Sequence, residues 1–236
     1  MQDEIRGLSR LGLSGIDIDE LLRVYDASAT DTISVDDAYA LIINICSSKI
    51  AQHPDYDDVT KHFFLKDLYA RTSPSFSKSV QLLHGNNVVS DEFAGCVEAI
   101  KDTVDAAIVH ERDDLLSFFG LKTMQNGYML KTKHDGVLTP VERPQYVFMR
   151  VAIAIHGTAV RDVLETYDAM SQKYFIHATP TLFNAGAKSQ QLSSCFLMQV
   201  RFLDLDCVTY AHTCVCVFGM CTGRGANVCL CSSNVP

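Results

Sequence analysis

No stretch of this 236-residue sequence holds the roughly 18 to 20 consecutive apolar residues that a membrane-spanning helix needs. Basic side chains are also scarce, with 20 Lys and Arg against 28 Asp and Glu and a formal net charge of -8. A general nucleic-acid binder needs a basic face to neutralise phosphates, so that class is excluded, while a small anionic ligand stays open. The start, Met1-Gln2-Asp3-Glu4, carries neither a basic nor an apolar leader. The expectation is a cytoplasmic protein whose thiols stay reduced unless catalysis oxidises them. No internal repeat is present.

What is there in quantity is apolar surface: 47% hydrophobic residues suffice for one large domain or two smaller ones and exclude general disorder. The nine cysteines are unevenly placed. Cys46, Cys96 and Cys195 are scattered, whereas Cys207, Cys214, Cys216, Cys221, Cys229 and Cys231 crowd the end. Helical punctuation dominates the first part. Asp17 or Asp19 can cap "IDELLRVYD", and Ser34 with Asp37 opens "VDDAYALIINICSSKI". His53-Pro54-Asp55 restarts the chain into a helix with Val59, Phe63, Leu65 and Leu68 largely on one side. Ser75 to Asn87 is a fourth helical segment, and Ser90, Asp91 and Glu92 begin a fifth.

Asp135-Gly136, between Tyr128-Met129-Leu130 and Val137-Leu138, predicts a small hairpin. Pro144 starts a buried helix, Gly157 ends it, and Val163, Leu164, Tyr167 and Met170 align on the next. Glu142-Arg143-Pro144 reads as a charged helix start, and Arg150 as an arginine that pairs with an acid or snorkels rather than touching substrate. Further on, "TLFNAG" reads as loop and "SCFLMQV" as buried strand.

Around that loop, Thr179, Thr181, Ser193 and Ser194 offer hydroxyls and free N–H groups for phosphate oxygens, with Cys195 beside them as a redox thiol. The residues alone leave a second reading open, a structural cysteine buried at a strand start. His177 reads as a packing histidine, and Asn184 as a side chain holding the loop backbone.

The run "ATPTLFNAGAKSQQLSSCFL" is similar to the signature of the large, catalytic subunit of class I ribonucleotide reductase. "FFGLKTMQNGYMLK", "ERPQYVFMRVAIAIHG" and "ETYDAMSQKYFIHA" resemble that family in the same order, and "HPDYDDVTKHFFLKDLY" resembles the last helices of its ATP-cone. The likeness runs from about Ile16 to Met198. It implies a mainly α amino-terminal region, a partial ATP-cone plus a helical domain, leading into the first strand of an α/β ten-stranded barrel. The implied divisions are a partial cone at 1–72, a helical domain at 73–175, the barrel start at 176–200 and a divergent Cys-rich tail at 201–236, expected to be poorly ordered.

By the same resemblance, Cys195 matches one of the two thiols that become a disulfide as the ribose 2′-hydroxyl is removed. Thr179 and Ser194 match positions that bind the nucleoside diphosphate. The implied activity is an oxidoreductase supplying deoxyribonucleotides for DNA synthesis. Its radical comes from a metal-containing small subunit, its effectors are ATP and deoxynucleoside triphosphates, and its reductant is thioredoxin or glutaredoxin. Large subunits of the family pair as homodimers, and no nucleic acid, membrane, cofactor or metal is expected on this chain.

The pattern departs from the family at both ends. The basic turn of the cone is missing, Asp36 and Asp37 read as solvated first-turn acids, and the family's later lysine falls near Ala70 and Arg71, so nucleotide binding by the cone is not expected. The specificity-effector pair, second redox cysteine, radical cysteine and tyrosine relay are not recognisable in residues 201–236. The isolated chain is therefore expected to be inactive. The alternative reading is a non-catalytic scaffold that pairs with a full-length subunit. C-x-C pairs such as Cys214 and Cys216 lack the spacing of ordinary zinc knuckles.

Overall fold

The computed structural model describes residues 1–29, 33–134, 136–193, 195–199 and 227–231. Ten α-helices are described: α1 Gln2–Gly7, α2 Ile18–Ser28, α3 Val35–Lys49, α4 Asp55–Arg71, α5 Phe76–Gly85, α6 Asp91–Ala107, α7 Phe118–Thr123, α8 Pro144–His156, α9 Val160–Ser171 and α10 Thr179–Asn184. A 3-10 turn spans His110–Leu115, and a π turn, Met124–Tyr128, follows α7. The mainly helical expectation holds. Among the described residues no helix is long and apolar enough to cross a membrane.

Helix starts fall where short polar side chains satisfy orphan N–H groups. Asp17 accepts from the Glu20 N–H, Ser34 from Asp37, Ser75 from Lys78 and Ser90 from Phe93. Pro144 lies in the first turn of α8, where its missing N–H costs nothing. Gly157 ends that helix at φ 61°, ψ -123°, a conformation that a side chain disfavours.

Two apolar cores form. Ile5, Leu21, Tyr25, Ile42, Cys46, Val59 and Phe63 make the first. The larger second core joins Phe64, Leu68, Phe76, Val80, Leu83, Phe93 and Val97 to the buried side chains of α8 and α9. Helix α4 serves both, and this corrects the one-sided expectation for it. Val59 and Phe63 face the first core, whereas Leu65 and Leu68 face the second. A helix sandwiched between two cores has no wet side wide enough to show a clean stripe.

Helix α8 is buried without interruption from Pro144 to Ile153. Its cap residue Arg143 donates from Nε to Thr72 Oγ1 at 3.0 Å and from Nη2 to the Thr72 and Tyr69 carbonyls at 3.1 and 3.3 Å, closing the carboxyl end of α4. Its guanidinium lies 4.3 Å from the Tyr69 ring centre. The charged helix start read from Glu142-Arg143-Pro144 is therefore a buried joint between helices.

Strands β1 Lys131–His134 and β2 Val137–Pro140 form the expected antiparallel hairpin, with His134 opposite Val137 and Gly136 at φ 86°. The first strand is "KTKH" itself and not the preceding Tyr128-Met129-Leu130. Those residues are held inward: Met129 is buried, and the Leu130 N–H donates to Glu142 Oε2 at 2.8 Å. A second pair, β3 Cys195–Gln199 with β4 Asn227–Cys231, is antiparallel with Cys195 opposite Cys231 and Leu197 opposite Cys229. Residues 227–231 of the tail are described as this strand, with Val228 opposite Met198 and Leu230 opposite Phe196. The rest of the tail, 200–226 and 232–236, lies outside the described residues.

Asp113 is buried where the 3-10 turn meets α4, α8 and α9. It accepts from the Tyr69 hydroxyl and, at 2.7 Å, from Gln145 Nε2; Tyr167 in turn donates to Gln145 Oε1 at 3.0 Å. Burial pushes its carboxyl up to about 6, against the pull of the Tyr69 and Gln145 hydrogen bonds and the Arg143 charge. An unfolded aspartate titrates at about 3.9. The folded chain therefore binds the extra proton between about pH 4 and 6, and this group's contribution to stability falls as pH rises through that window. Asp113→Asn removes the term. The stability of the variant relative to the parent is expected to improve by about 2 kcal/mol between pH 4.5 and 7, read from urea midpoints. A difference that stays constant across that range would contradict the assignment.

Candidate functional site

The segment from His177 to Ser193 wraps the second core and carries the candidate binding residues. The loop expected for "TLFNAG" is helical over its first four residues, which end helix α10, six residues long with Pro180 in its first turn. A helix this short cannot sustain itself through its own hydrogen bonds. Tertiary partners for its ends make it a helix.

Those partners come from α8. Arg150 is fully buried, and its Nε and Nη2 donate to Glu142 Oε1 and Oε2 at 2.7 and 3.2 Å. The expected acid partner is thus Glu142, eight residues back and equally buried. The other donors of the fork meet backbone: Nη1 reaches the Ala185 carbonyl at 2.7 Å, and Nη2 the Leu182 and Tyr128 carbonyls, each at 3.1 Å. Two carbonyls at the carboxyl end of α10 are satisfied by one guanidinium, whose charge also suits that end of the helix.

Beyond α10 the chain is stitched to the body. Gly186 accepts from the Ser90 N–H at 3.1 Å, the Lys188 N–H donates to the Val88 carbonyl at 3.0 Å, and Ala187 bridges to Val89. Asn184 Nδ2 donates to the Gln191 carbonyl at 2.9 Å, as expected of a side chain holding the loop, and Thr181 Oγ1 donates to the Leu192 carbonyl at 3.3 Å.

Thr179 is exposed at the amino end of α10, with its hydroxyl 3.4 Å from that of Tyr128. Tyr128 also stacks on Phe183, with ring centres 4.7 Å apart and planes inclined by 29°. Cys195 is the first residue of β3, and Ser194 lies outside the described residues. His177 is half-buried with its ring edge-on to Phe175; burial, and then the neighbouring His156 charge, hold its pKa below the ordinary value. That fits the packing role expected for it. Two clefts on the described surface lie elsewhere. One of about 860 Å³ is lined by Arg6, Gly15 and Asp17, and one of about 400 Å³ by Ser77, His84 and Glu98. Neither touches the loop. The loop is the stronger candidate, because its exposed hydroxyl and turned backbone are built from tertiary contacts.

The residue pattern points to an acid partner for Arg150 but not to what the remaining donors hold. It also gives no sign of Tyr128, whose ring and hydroxyl meet this segment and whose carbonyl accepts from Arg150. The signal available is a lone arginine in an apolar helix with a glutamate just outside it.

The helical body and its loop match the family description "Ribonucleotide reductase, all-alpha domain" over residues 114–190. The chain is 38% identical over 183 residues to the ribonucleoside-diphosphate reductase large chain 2 of Saccharomyces cerevisiae, covering 74% of this chain and 20% of that protein. To the large chain of Schizosaccharomyces pombe it is 39% identical over 179 residues, 72% of this chain and 21% of that one. To the large subunit of African swine fever virus it is 38% identical over 200 residues, 82% and 25%. These matches support the reading of the chain as an amino-terminal region of a ribonucleotide reductase large subunit. The chain spans about a fifth to a quarter of the length of the curated relatives it matches.

Gly186 sits at φ +78°, and a Cβ there would lie 3.0 Å from the Phe93 ring. Gly186→Ala is expected to cost about 1–2 kcal/mol through backbone strain and displacement of Phe93. Urea denaturation followed by circular dichroism measures it, and an unchanged midpoint would show that the loop does not press on α6 as described.

Proposed function

We propose that this chain is the part of a ribonucleoside-diphosphate reductase large subunit that presents a substrate loop and one redox thiol to the sugar of a ribonucleoside diphosphate. The supporting observation is that the segment resembling the family's signature is the one held in place by the buried arginine of α8. Thr179 and Ser194 are assigned to the diphosphate, through hydroxyl donation to its oxygens, and Cys195 to the ribose.

Removing the 2′-hydroxyl as water takes two electrons and two protons. A pair of thiols supplies both on becoming a disulfide, so Cys195 furnishes half and a second cysteine of the complete subunit the other half. Holding the thiol on a fixed loop beside the bound sugar makes that exchange effectively intramolecular. The radical that opens the reaction is assigned to a metal-containing small subunit. Regeneration falls to a thioredoxin- or glutaredoxin-type dithiol of the cytoplasm, regulation to ATP and deoxynucleoside triphosphates, and pairing to a second large subunit. The likeness to catalytic subunits does not favour the scaffold reading.

A chimera tests this. Residues 1–199 replace the matched amino-terminal region of the S. cerevisiae large chain 2, assayed with its small subunit and a dithiol reductant. The chimera is expected to convert ribonucleoside diphosphate to deoxyribonucleoside diphosphate. Cys195→Ser should lower turnover by roughly a thousandfold or more, and Thr179→Ala should raise KM about tenfold with a smaller change in kcat. Full turnover by a Cys195→Ser chimera would refute the assignment of the thiol.

A further inference from the structure

We infer that Arg150, held by Glu142, is the positioning residue of the thiol-bearing loop, setting where α10 and the strand of chain after it stand against the helical body. The inference rests on the reading of that segment as the substrate loop. Three features carry it.

First, α10 has six residues and depends on outside partners for its carboxyl end, and the guanidinium supplies two of them, the Leu182 and Ala185 carbonyls. Second, residues 191 and 192 hang from α10 itself, through Asn184 Nδ2 to the Gln191 carbonyl and Thr181 Oγ1 to the Leu192 carbonyl. Whatever fixes α10 therefore fixes the approach to Ser193 and Cys195. Third, the pair is placed where an apolar side chain of like volume would pack without a desolvation cost. A charge in that place suits the carbonyls it meets. Only a planar fork reaches Glu142, α10 and the Tyr128 carbonyl from one side chain, which a lysine ammonium cannot do. Arg150 touches no substrate; it acts through α10.

The full chain is compared with Arg150→Lys and with the double variant Arg150→Met/Glu142→Gln, which leaves no buried charge unpaired. Hydrogen–deuterium exchange is read at the amides of Leu182 and Ala185, which close α10, and across α6 as the reference. Both variants are expected to exchange about tenfold faster or more in α10, with α6 within about twofold of the parent. The stretch at 186–188, tied to Val88 and Ser90, should change less. Equal acceleration of α6 and α10, or no acceleration of α10, would overturn the inference.

GDP added as probe separates this from the reading beneath it. Its apparent Kd for the full chain is expected to rise about tenfold in Arg150→Lys. Should GDP fail to bind the parent while α10 responds as stated, the substrate reading falls and the positioning stands. Unchanged GDP affinity alongside a released α10, in a parent that binds GDP, would overturn the link from Arg150 through α10 to the bound diphosphate.

Discussion

The buried Arg150–Glu142 pair is the constraint on which the candidate site depends. Two opposite charges withdrawn from water are costly, and removal of one leaves the other uncompensated at about 3–5 kcal/mol. Here the cost is offset because nearly every donor and acceptor finds a partner. Glu142 takes the guanidinium and the Leu130 N–H, and the remaining guanidinium donors meet the carbonyls of Tyr128, Leu182 and Ala185. One ion pair thereby gathers the π turn, the start of the hairpin, α8 and α10.

Arg143 repeats the device at the start of the same helix. It closes the carboxyl end of α4 as Arg150 closes that of α10. Helix α8 is thus an apolar rod buried along most of its length, with two arginines answering the ends of two other helices. The first joins the two cores through α4; the second presents the loop. Hydrophobic burial alone would hold α8 in place but leave both helix ends with unpaired carbonyls in a dry interior.

Much of the helical framework is legible in the order of residues. Asp17, Ser34, Ser75 and Ser90 cap the helices they precede because a short side-chain oxygen satisfies orphan N–H groups locally. Gly157 and the Asp135-Gly136 turn are readable for the same reason, since backbone demands there are met within a few residues. The departures from expectation have a common cause. Helix α4 buries two sides because it lies between two cores, and "TPTLFN" coils because Arg150, some thirty residues earlier, receives its carbonyls. Neither fact is written in a local period. Cys195, Thr179 and Ser194 stand out by resemblance over a long run and remain assignments of the proposed function.

The sequence by itself determined the helical punctuation, the acidic net charge and the resemblance of the loop, because each is a matter of residue types and their order. Only the tertiary structure decided that a six-residue segment is a helix, that α4 belongs to two cores, and that Arg150 is an anchor for the loop. These depend on which distant carbonyls and side chains meet in the interior, and that is set by the packing of whole helices.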